Sequence, residues 1–407
     1  MKKRIETMDV NHLSVSLAAI ARNFHFLQQR AAPFGVAPTI KANAYGHGAS
    51  FVGPHLESLG AETLLVTTSA EGLELREAGL KSEIIILAGA TWMSDPHALI
   101  QYDLTPVLGS VVELEALQSV IQQRGTGRIN AHVKIDTGMG RLGLRHDDES
   151  ALIRFCEKAK AKENLVNVCG IMTHFANADL GHIKTQNERF KKSLAFLSSR
   201  LNLCALHISN TAATLEQSAQ KDATYKSVAK RFTRPGIALY GYSSVNTEHA
   251  GIDYKKQLEP ALTWRAPIVA RQSLKAGDGV GYGSTWKATK ATEIAVVRVG
   301  YADGYNRLLS NQCDVILKGI RAPLRGRVCM DLIMIDVSDV IARAGEDAAA
   351  LGQNVILLGS EPAFANDSAP KNEEVCIDAY ELSAKTGTIP YEILCAISAR
   401  VKRIYVD

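Results

Sequence analysis

Residues 36–48 read VAPTIKANAYGHG: a short apolar run, then a single lysine, Lys41, then small residues, a tyrosine and two glycines. The run Val36–Ile40 has the composition of a buried β-strand, so Lys41 emerges at the carboxyl end of that strand. Most lysines lie in solvent because an ammonium is costly to bury. In α/β folds the active site lies at the carboxyl ends of the strands. The position therefore marks Lys41 as a candidate catalytic residue.

Seven further β-rich runs follow, and the total of eight decides the fold class. The predicted strands are Val36–Ile40, Thr63–Thr67, Glu83–Leu87, Leu104–Val107, Ala131–Ile135, Val166–Met172, Ala205–Ile208 and Gly236–Tyr240. Apolar residues spaced by three and four predict helices between them, as in Ala70–Ala78, Val111–Gln123, Glu149–Lys162 and Gln186–Leu201. Eight strands alternating with helices over roughly 200 to 250 residues suit an α/β fold of the TIM type, a closed (β/α)8 barrel. An open doubly wound sheet is the alternative; the missing GxGxxG turn disfavours a dinucleotide site without excluding that sheet.

From about Ser243 the pattern changes to short β-like runs separated by glycines. Examples are Pro267–Ala270, Glu293–Val299, Asp314–Leu317, Met334–Val337 and Asn354–Leu358. We therefore expect a barrel domain over residues 10–242 and a mostly β domain over residues 243–407, which residues 1–9 could join. Residues 360–374 are rich in loop-forming side chains and are predicted to be a mobile loop.

The composition disfavours several classes of partner. The chain has 407 residues, 46% hydrophobic content and a formal net charge of +4, so neither a nucleic acid nor a membrane is an expected partner. Its seven cysteines are widely spaced and include no CxxC pair. This usage predicts a reducing compartment, with neither a metal site nor a disulfide framework. No segment is apolar for long enough to cross a bilayer, and we expect a soluble cytoplasmic protein.

Further polar motifs lie beside the other predicted strands. They are Asp136–Arg141 after the fifth strand, Thr173 and His174 after the sixth, Ser209 to Thr211 after the seventh, and Arg234 to Gly236 at the start of the eighth. Each could be structural, as an N-cap or a loop cap. Their common position at the barrel mouth instead favours a site for a phosphate-bearing ligand. A lysine without its hydration shell is a nucleophile, and its most common cofactor partner is the aldehyde of pyridoxal phosphate.

These residues resemble the alanine racemase family, pyridoxal-phosphate enzymes built from a barrel and a β domain. The resemblance runs from about Val10 to Asp407. It rests on eight motifs in the family's order: KANAYGHG (41–48), DTGMGRLG (136–143), THFANAD (173–179), RPGIALYG (234–241), VGYGSTW (280–286), VGYADGY (299–305), GRVCMD (326–331) and TIPYEIL (388–394).

The resemblance implies an isomerase that interconverts L-alanine and D-alanine, works as a homodimer and shares its active sites between subunits. Lys41 would hold the cofactor and serve as one catalytic base, and Tyr282 from the other subunit would be the second. The implied cofactor contacts are Tyr45, Arg141, His174, Asn210, Thr211, Arg234, Gly236, Ile237 and Tyr391. The implied substrate contacts are Arg141 and Met330. The implied substrate entrance consists of Asp179, Tyr301, Arg307, Arg327 and Ile389.

Racemisation itself requires two acid/base groups on opposite faces of the substrate. A tyrosine with its ordinary pKa of about 10 is a poor base near neutrality, so its phenolate needs stabilising neighbours. The resemblance supplies a relay in which Tyr282 contacts His174 and His174 contacts Arg234. A guanidinium at the pyridine nitrogen also discourages protonation there and suppresses transamination.

The chain departs from the family's usual pattern at Thr211, where serine is common, and at Leu332, where glutamine is common. The hydroxyl at Thr211 is retained, so phosphate binding should be too. Lys134 matches a lysine that is carbamylated in some relatives, and a plain lysine in a polar contact is the alternative for this chain.

Two alternatives to alanine racemisation remain. Tyr282 and Tyr391 would narrow the pocket beside the substrate methyl, which favours alanine. A broad-specificity racemase acting on lysine or serine would instead be expected to have a smaller residue than Tyr391. The second alternative is a non-catalytic pyridoxal-phosphate carrier on a similar barrel, but such carriers lack the β domain with its tyrosine. The product would supply peptidoglycan synthesis, or the enzyme would act in alanine catabolism.

Overall fold

The computed structural model describes residues 11–89, 96–125, 127–176, 180–217, 219–244, 248–249, 252–364 and 373–407. The chain folds as two compact units. One comprises Ala19–Glu259, and the other comprises Pro260–Asp407 together with the described residues up to Ala18. Among the described residues, no helix combines the length and the apolar character needed to cross a bilayer.

The first unit is a (β/α)8 barrel, as predicted. Its strands are Gly35–Val36, Thr63–Val66, Glu83–Ile86, Leu104–Leu108, Ile129–Asp136, Val166–Met172, Ala205–Ile208 and Lys230–Thr233. From the second strand to the eighth, each strand pairs in parallel with the next one in the chain, and the eighth pairs with the first. A parallel bridge between Thr39 and Leu65 links the first two strands and closes the ring. All eight carboxyl ends therefore meet at one face.

Helices cover the outside of the barrel. They are Leu17–Ala31, Ala49–Ser58, Ser69–Glu77, His97–Gln101, Val111–Arg124, Glu149–Ala161, Leu180–Ser198 and Thr211–Leu215. Helix Leu17–Ala31 shows how sequence determines this packing, because its buried residues Ile20, Phe24 and Leu27 recur at spacings of three and four. A core cluster of Ala37, Leu65, Ile85, Val107, Met172 and Phe232 draws one residue from each of six strand regions.

The predicted strand Gly236–Tyr240 is wrong. Ile237–Tyr240 forms a short 3₁₀ helix, and the eighth strand is Lys230–Thr233. Gly236 has φ −120° and ψ −84°, which is not an extended conformation. The true strand is difficult to recognise in the sequence because the charge of Lys230 suggests a loop. In the structure Lys230 makes an ion pair with Glu83 at 2.8 Å.

The second unit is mostly β. Its main sheet contains nine strands, which are His12–Ser16, Leu262–Leu274, Thr292–Val297, Asp314–Leu317, Ile320–Pro323, Ile333–Asp336, Asn354–Pro362, Glu374–Ile377 and Lys402–Val406. Gly279–Val280 and Trp286–Lys287 form a separate small hairpin. Helices Ser338–Ala344, Ala379–Thr386 and Pro390–Cys395 accompany the sheet.

The amino-terminal boundary of the barrel differs in position from the sequence assignment. His12–Ser16 falls within the residues assigned to the barrel domain, but it pairs with Leu262–Leu274 and Lys402–Val406 of the β unit. The alternating buried positions Leu13 and Val15 fit such a sheet. Residues 1–9 and most of the predicted mobile loop at 360–374 lie outside the described residues, although the ends of that segment are strands.

Candidate active site

A left-handed turn follows Lys41 at the mouth of the barrel. Ala42, Asn43, Ala44 and Tyr45 all have φ between 51° and 53°, a conformation that costs non-glycine residues roughly 1–2 kcal/mol each. The Ala44 N–H donates to the Ile40 carbonyl at 2.8 Å, and the Gly46 N–H donates to the Ala42 carbonyl at 3.0 Å. Strain of this kind persists only where the surroundings impose it, and such strain is concentrated at functional sites.

Glu71 holds this turn in place, and the sequence analysis did not identify it. Its carboxylate accepts the Ala42 N–H at 2.7 Å and also the backbone N–H groups of Thr67 and Thr68. The sequence signal was available, because Thr68 and Glu71 form the capping box of helix Ser69–Glu77. Glu71 thereby links the loop after Lys41 to the residues that follow the second barrel strand.

Tyr45, Thr211 and Gly236 converge on one small region. The Gly236 N–H donates to the Thr211 hydroxyl at 3.0 Å. A Cβ atom added to Gly236 would overlap with the Tyr45 hydroxyl. Ile237 is fully buried beside them, and Asn210 caps helix Thr211–Leu215 by accepting the Ala213 N–H at 3.2 Å. Only glycine leaves room for the tyrosine hydroxyl and for a ligand to approach this backbone.

Arg234 is buried, with 4% of its surface exposed. Its Nη2 donates to the Thr173 carbonyl at 2.7 Å and lies 3.3 Å from His174 Nδ1. Its Nη1 is buried, and the structure shows no hydrogen-bond partner for it among the described residues. A buried donor without a partner costs about 1–3 kcal/mol, and a bound ligand commonly satisfies it. Burial lowers the pKa of Arg234 to about 9, so the group stays charged at neutral pH.

His174 lies in a strongly positive environment. Burial, followed by the charges of Arg234, Lys134, Arg141 and Lys41, holds its pKa well below the ordinary value. The ring is therefore neutral near pH 7. Its Nδ1 can then accept from Arg234, which leaves Nε2 as the donor.

Lys134 extends this group of cations. It is 6% exposed, and burial together with Arg141 and Arg234 lowers its pKa to about 8. A minor fraction of its amine is thus neutral near physiological pH, and most of it stays charged. Four cationic side chains near one half-buried histidine make the site suitable for an anion.

The loop that carries Arg141 is organised by Asp136. The Asp136 carboxylate accepts the backbone N–H groups of Gly138, Met139 and Gly140 at 2.8 to 3.1 Å. Burial raises the pKa of Asp136, but these three donors outweigh it, and the net pKa is lowered. Arg141 is exposed at the end of this loop.

The candidate residues of the β unit are mostly more exposed to solvent than those of the barrel. Tyr282 is 73% exposed and Met330 is 53% exposed. Tyr282 opens the turn of the small hairpin, where a Cβ on the preceding Gly281 would overlap with Met334 Cε and lie 3.6 Å from the Arg327 backbone nitrogen. The loops carrying Tyr301 and Met330 are joined, because the Tyr301 N–H donates to the Cys329 carbonyl and the Ala302 N–H donates to the Met330 carbonyl, both at 3.0 Å.

The remaining predicted positions lie on the β unit or outside the described residues. Tyr301, Arg307 and Ile389 are exposed on the β unit, and Tyr391 is half-buried in helix Pro390–Cys395. Asp179 lies outside the described residues. The barrel candidates are thus gathered around Lys41, and in the β unit the loops that carry Tyr282, Arg327, Met330 and Tyr301 lie against one another.

The barrel site suits pyridoxal phosphate on its own geometry. The unpartnered Nη1 of Arg234 can donate to an uncharged ring nitrogen, and the backbone beside Gly236 with the Thr211 and Tyr45 hydroxyls can face phosphate oxygens. Lys41 lies at the same mouth. Among the described residues, no group of three or more His, Cys, Asp or Glu side chains is placed to hold a metal ion.

The comparison with known proteins covers both units. The family described as "Alanine racemase, N-terminal domain" matches residues 15–244, and "Alanine racemase, C-terminal domain" matches residues 261–405. The alanine racemase of Halothermothrix orenii is 36% identical over 380 residues, which cover 91% of this chain and 89% of that protein.

Solved structures give the same result. Alanine racemase from Bartonella henselae, described as having covalently bound pyridoxal phosphate, is 28% identical with a TM-score of 0.77 and covers 98% of this chain and 99% of its own. The enzyme from Streptomyces lavendulae is also 28% identical, with a TM-score of 0.82 over 98% of this chain and 97% of its own. With both domain patterns matched over most of its length, this chain belongs to the pyridoxal-phosphate-dependent alanine racemase family.

Proposed function

We propose that this protein interconverts L-alanine and D-alanine with pyridoxal phosphate as cofactor. The observation that carries the proposal is the arrangement at the barrel mouth, where the charges of Lys41 and Arg234 both act on His174. Arg234 has a buried guanidinium nitrogen with no hydrogen-bond partner among the described residues, and the bare backbone of Gly236 lies against Tyr45. Alanine racemase is the activity named for the relatives that align over nearly the whole chain.

In this proposal Lys41 binds the cofactor covalently. Arg234 would donate to its ring nitrogen, and Arg141 would face its phenolic oxygen. The phosphate would be held by Tyr45, Thr211, Gly236, Ile237 and Tyr391, with Asn210 fixing the Thr211 backbone. The Thr211 hydroxyl already accepts from Gly236, so the usual serine is not needed for that contact.

The bound cofactor supplies an electron sink that makes the α-proton of the substrate removable. Lys41 Nζ would take or return that proton on one face. The Tyr282 hydroxyl of a second subunit would do so on the other. Arg141 and the Met330 backbone N–H would hold the substrate carboxylate, and this fixes which bond faces each base.

The neutral His174 supports the role of Tyr282. Because Arg234 donates to Nδ1, the Nε2–H of His174 is available to stabilise a phenolate. The surrounding cations also favour an anionic oxygen at this position. Arg234 remains charged and discourages a proton on the ring nitrogen, which limits transamination.

We also propose a homodimer with shared sites. Tyr282 and Met330 are largely exposed in this chain although the chemistry requires them to contact substrate. Covering them with the barrel mouth of a second copy would complete two equivalent sites. Tyr301, Arg307, Arg327, Asp179 and Ile389 would line the entrance.

Lys134 is a candidate for carbamylation. Its lowered pKa provides the neutral amine that carbon dioxide requires, and the resulting carbamate would place a negative charge beside Arg141. A ¹³C NMR spectrum recorded with labelled bicarbonate should contain a carbamate signal that Lys134→Arg lacks. Spectra of the two proteins that do not differ in the carbamate signal would contradict carbamylation of Lys134.

The reaction is compatible with two cellular roles in a reducing compartment. The seven cysteines are all free thiols, which fits a cytoplasmic enzyme. Supply of D-alanine for peptidoglycan and catabolism of alanine both fit the same reaction.

The test is an absorbance spectrum of the purified protein followed by assays on L-alanine, L-serine and L-lysine. The proposal expects a cofactor band that depends on Lys41, and alanine turnover far faster than lysine turnover. Comparable lysine turnover would instead identify a broad-specificity racemase, and a cofactor band without racemisation would identify a carrier.

A further inference from the structure

Two cysteines meet at the opposite end of the barrel from the candidate active site. Cys169 lies in strand Val166–Met172, and Cys204 immediately precedes strand Ala205–Ile208. The Cys204 N–H donates to the Cys169 carbonyl at 2.8 Å. The next pair along, Gly170 and Ala205, is in register, so the two cysteines are side by side on neighbouring parallel strands.

A β-bulge sets the position of Cys169. Ala131 pairs with Val168 and His132 pairs with Gly170, so Cys169 is an extra residue without a partner on that side. Its Sγ lies 3.9 Å from the Ala131 carbonyl oxygen. A bulge redirects a side chain that would otherwise follow the pleat. Here the Cys204 thiol is near enough to Cys169 to contribute to its raised pKa.

The separation and exposure suit disulfide formation. Adjacent strands lie about 4.8 Å apart, within the roughly 4.4–6.8 Å between Cα atoms that a disulfide spans. Cys204 is exposed and Cys169 is intermediate in exposure. A reagent in solution can therefore reach Cys204 first, with Cys169 behind it.

We propose that Cys169 and Cys204 form a redox-active dithiol that a small disulfide of the glutathione type closes reversibly. The Cys204 thiolate attacks one sulfur of the reagent, whose S–S bond breaks, and one small thiolate leaves. The Cys169 thiolate then attacks the Cys204 sulfur, and the second small thiolate leaves. The two cysteines lose two electrons and two protons, and the reagent becomes two thiols.

The second step requires the Cys169 thiolate. Burial, then the neighbouring Cys204 and Glu83, raise the pKa of Cys169 to about 12. The closing rate should therefore increase about tenfold for each pH unit between 7 and 9, because it follows the thiolate fraction.

The experiment treats the folded protein, loaded with its cofactor, with oxidised glutathione at pH 8.5. Remaining thiols are then blocked with N-ethylmaleimide, and the protein is digested and analysed by mass spectrometry. We expect a disulfide-linked peptide pair containing Cys169 and Cys204, which dithiothreitol separates. The exposed Cys395 provides an internal comparison, because it should carry only a glutathione adduct.

Variants separate the two steps. Cys204→Ser should abolish the linked pair, and Cys169→Ser should leave a stable glutathione adduct on Cys204. A stable adduct on Cys204 in the unsubstituted protein, with Cys169 still open to maleimide, would overturn the proposal. So would an unmodified Cys204 under conditions that modify Cys395. Both of these outcomes are read in the unsubstituted protein, so neither depends on the folding of a variant.

Discussion

The barrel and the β unit present their candidate residues in opposite ways. In the barrel, Arg234 is 4% exposed, and its neighbours are joined by backbone and side-chain hydrogen bonds. In the β unit, Tyr282 is 73% exposed on a short hairpin turn. The barrel thus fixes the geometry of a cofactor site within one chain. The β unit instead offers a surface whose residues gain their surroundings only when something covers it.

Substitutions in the two regions should therefore have different effects on cofactor binding and on catalysis. Changes in the barrel should alter how the cofactor is held, and changes around Tyr282 should alter the chemistry without altering cofactor binding. Substitutions in each region can test that separation.

Lys41→Ala should abolish both cofactor attachment and activity. Removing a group that binds the cofactor and transfers a proton should lower kcat/KM by at least about 10⁴-fold, with loss of the cofactor absorbance band. Lys81→Ala, at an exposed position on the same unit, is the matched control and should behave like the unsubstituted protein. A retained band in Lys41→Ala would show that a different lysine holds the cofactor.

Tyr282→Phe should reduce activity while leaving the cofactor band intact. Loss of one general acid/base group costs roughly 10²–10⁴-fold in kcat, and the phenyl ring preserves the shape of the turn. Tyr102→Phe, a half-exposed barrel residue whose hydroxyl accepts from Gln101, controls for loss of a tyrosine hydroxyl. Steady-state rates in both directions give the comparison. Activity equal to that of the control would show that Tyr282 is not a general acid or base in the reaction.

Gly236→Ala should weaken cofactor retention. The added methyl would overlap with the Tyr45 hydroxyl, and a displaced tyrosine or backbone should raise the cofactor Kd about tenfold or more, since 1.4 kcal/mol corresponds to a factor of ten. Gly35→Ala is the matched control, because its nearest neighbour would lie at 3.7 Å, an ordinary contact. Equilibrium dialysis measures the Kd of each variant. Equal values for the two would argue against a ligand at Gly236.

Asp136→Asn should destabilise the barrel by about 1–3 kcal/mol at pH 7, because a carboxylate that accepts three N–H groups is replaced by a neutral amide. The pKa of Asp136 is lowered in the folded protein. Its stabilisation is therefore complete above the unfolded pKa of about 4 and is lost as the pH falls through the lower folded value. Urea unfolding at several pH values should show the two proteins converging in acid. A difference independent of pH would contradict this assignment.

The sequence predicted most of the barrel because its strands and helices have distinct apolar periodicities. It failed at the eighth strand, where Lys230 makes an ion pair with Glu83 that only the folded barrel brings together. The left-handed turn at Ala42 to Tyr45 could not be predicted either, because alanine and tyrosine do not favour φ near +50°. That conformation depends on Glu71, which lies about thirty residues further along the chain.

The chemistry at the barrel mouth could be anticipated in kind but not in detail. The motif around Lys41 indicated a cofactor site, whereas the unpartnered nitrogen of Arg234 and the lowered pKa of Lys134 depend on burial. Burial of a particular side-chain atom is set by packing between distant segments, and local sequence does not specify it.

The most direct test of the proposed shared site combines Lys41→Ala with Tyr282→Phe in separate chains carrying different affinity tags. Each variant alone should have at most about 1% of the unsubstituted activity. Heterodimers isolated through both tags should recover about half of the unsubstituted activity, because one of their two sites would contain both bases. Isolated heterodimers with no recovered activity would show that Lys41 and Tyr282 do not act together across subunits.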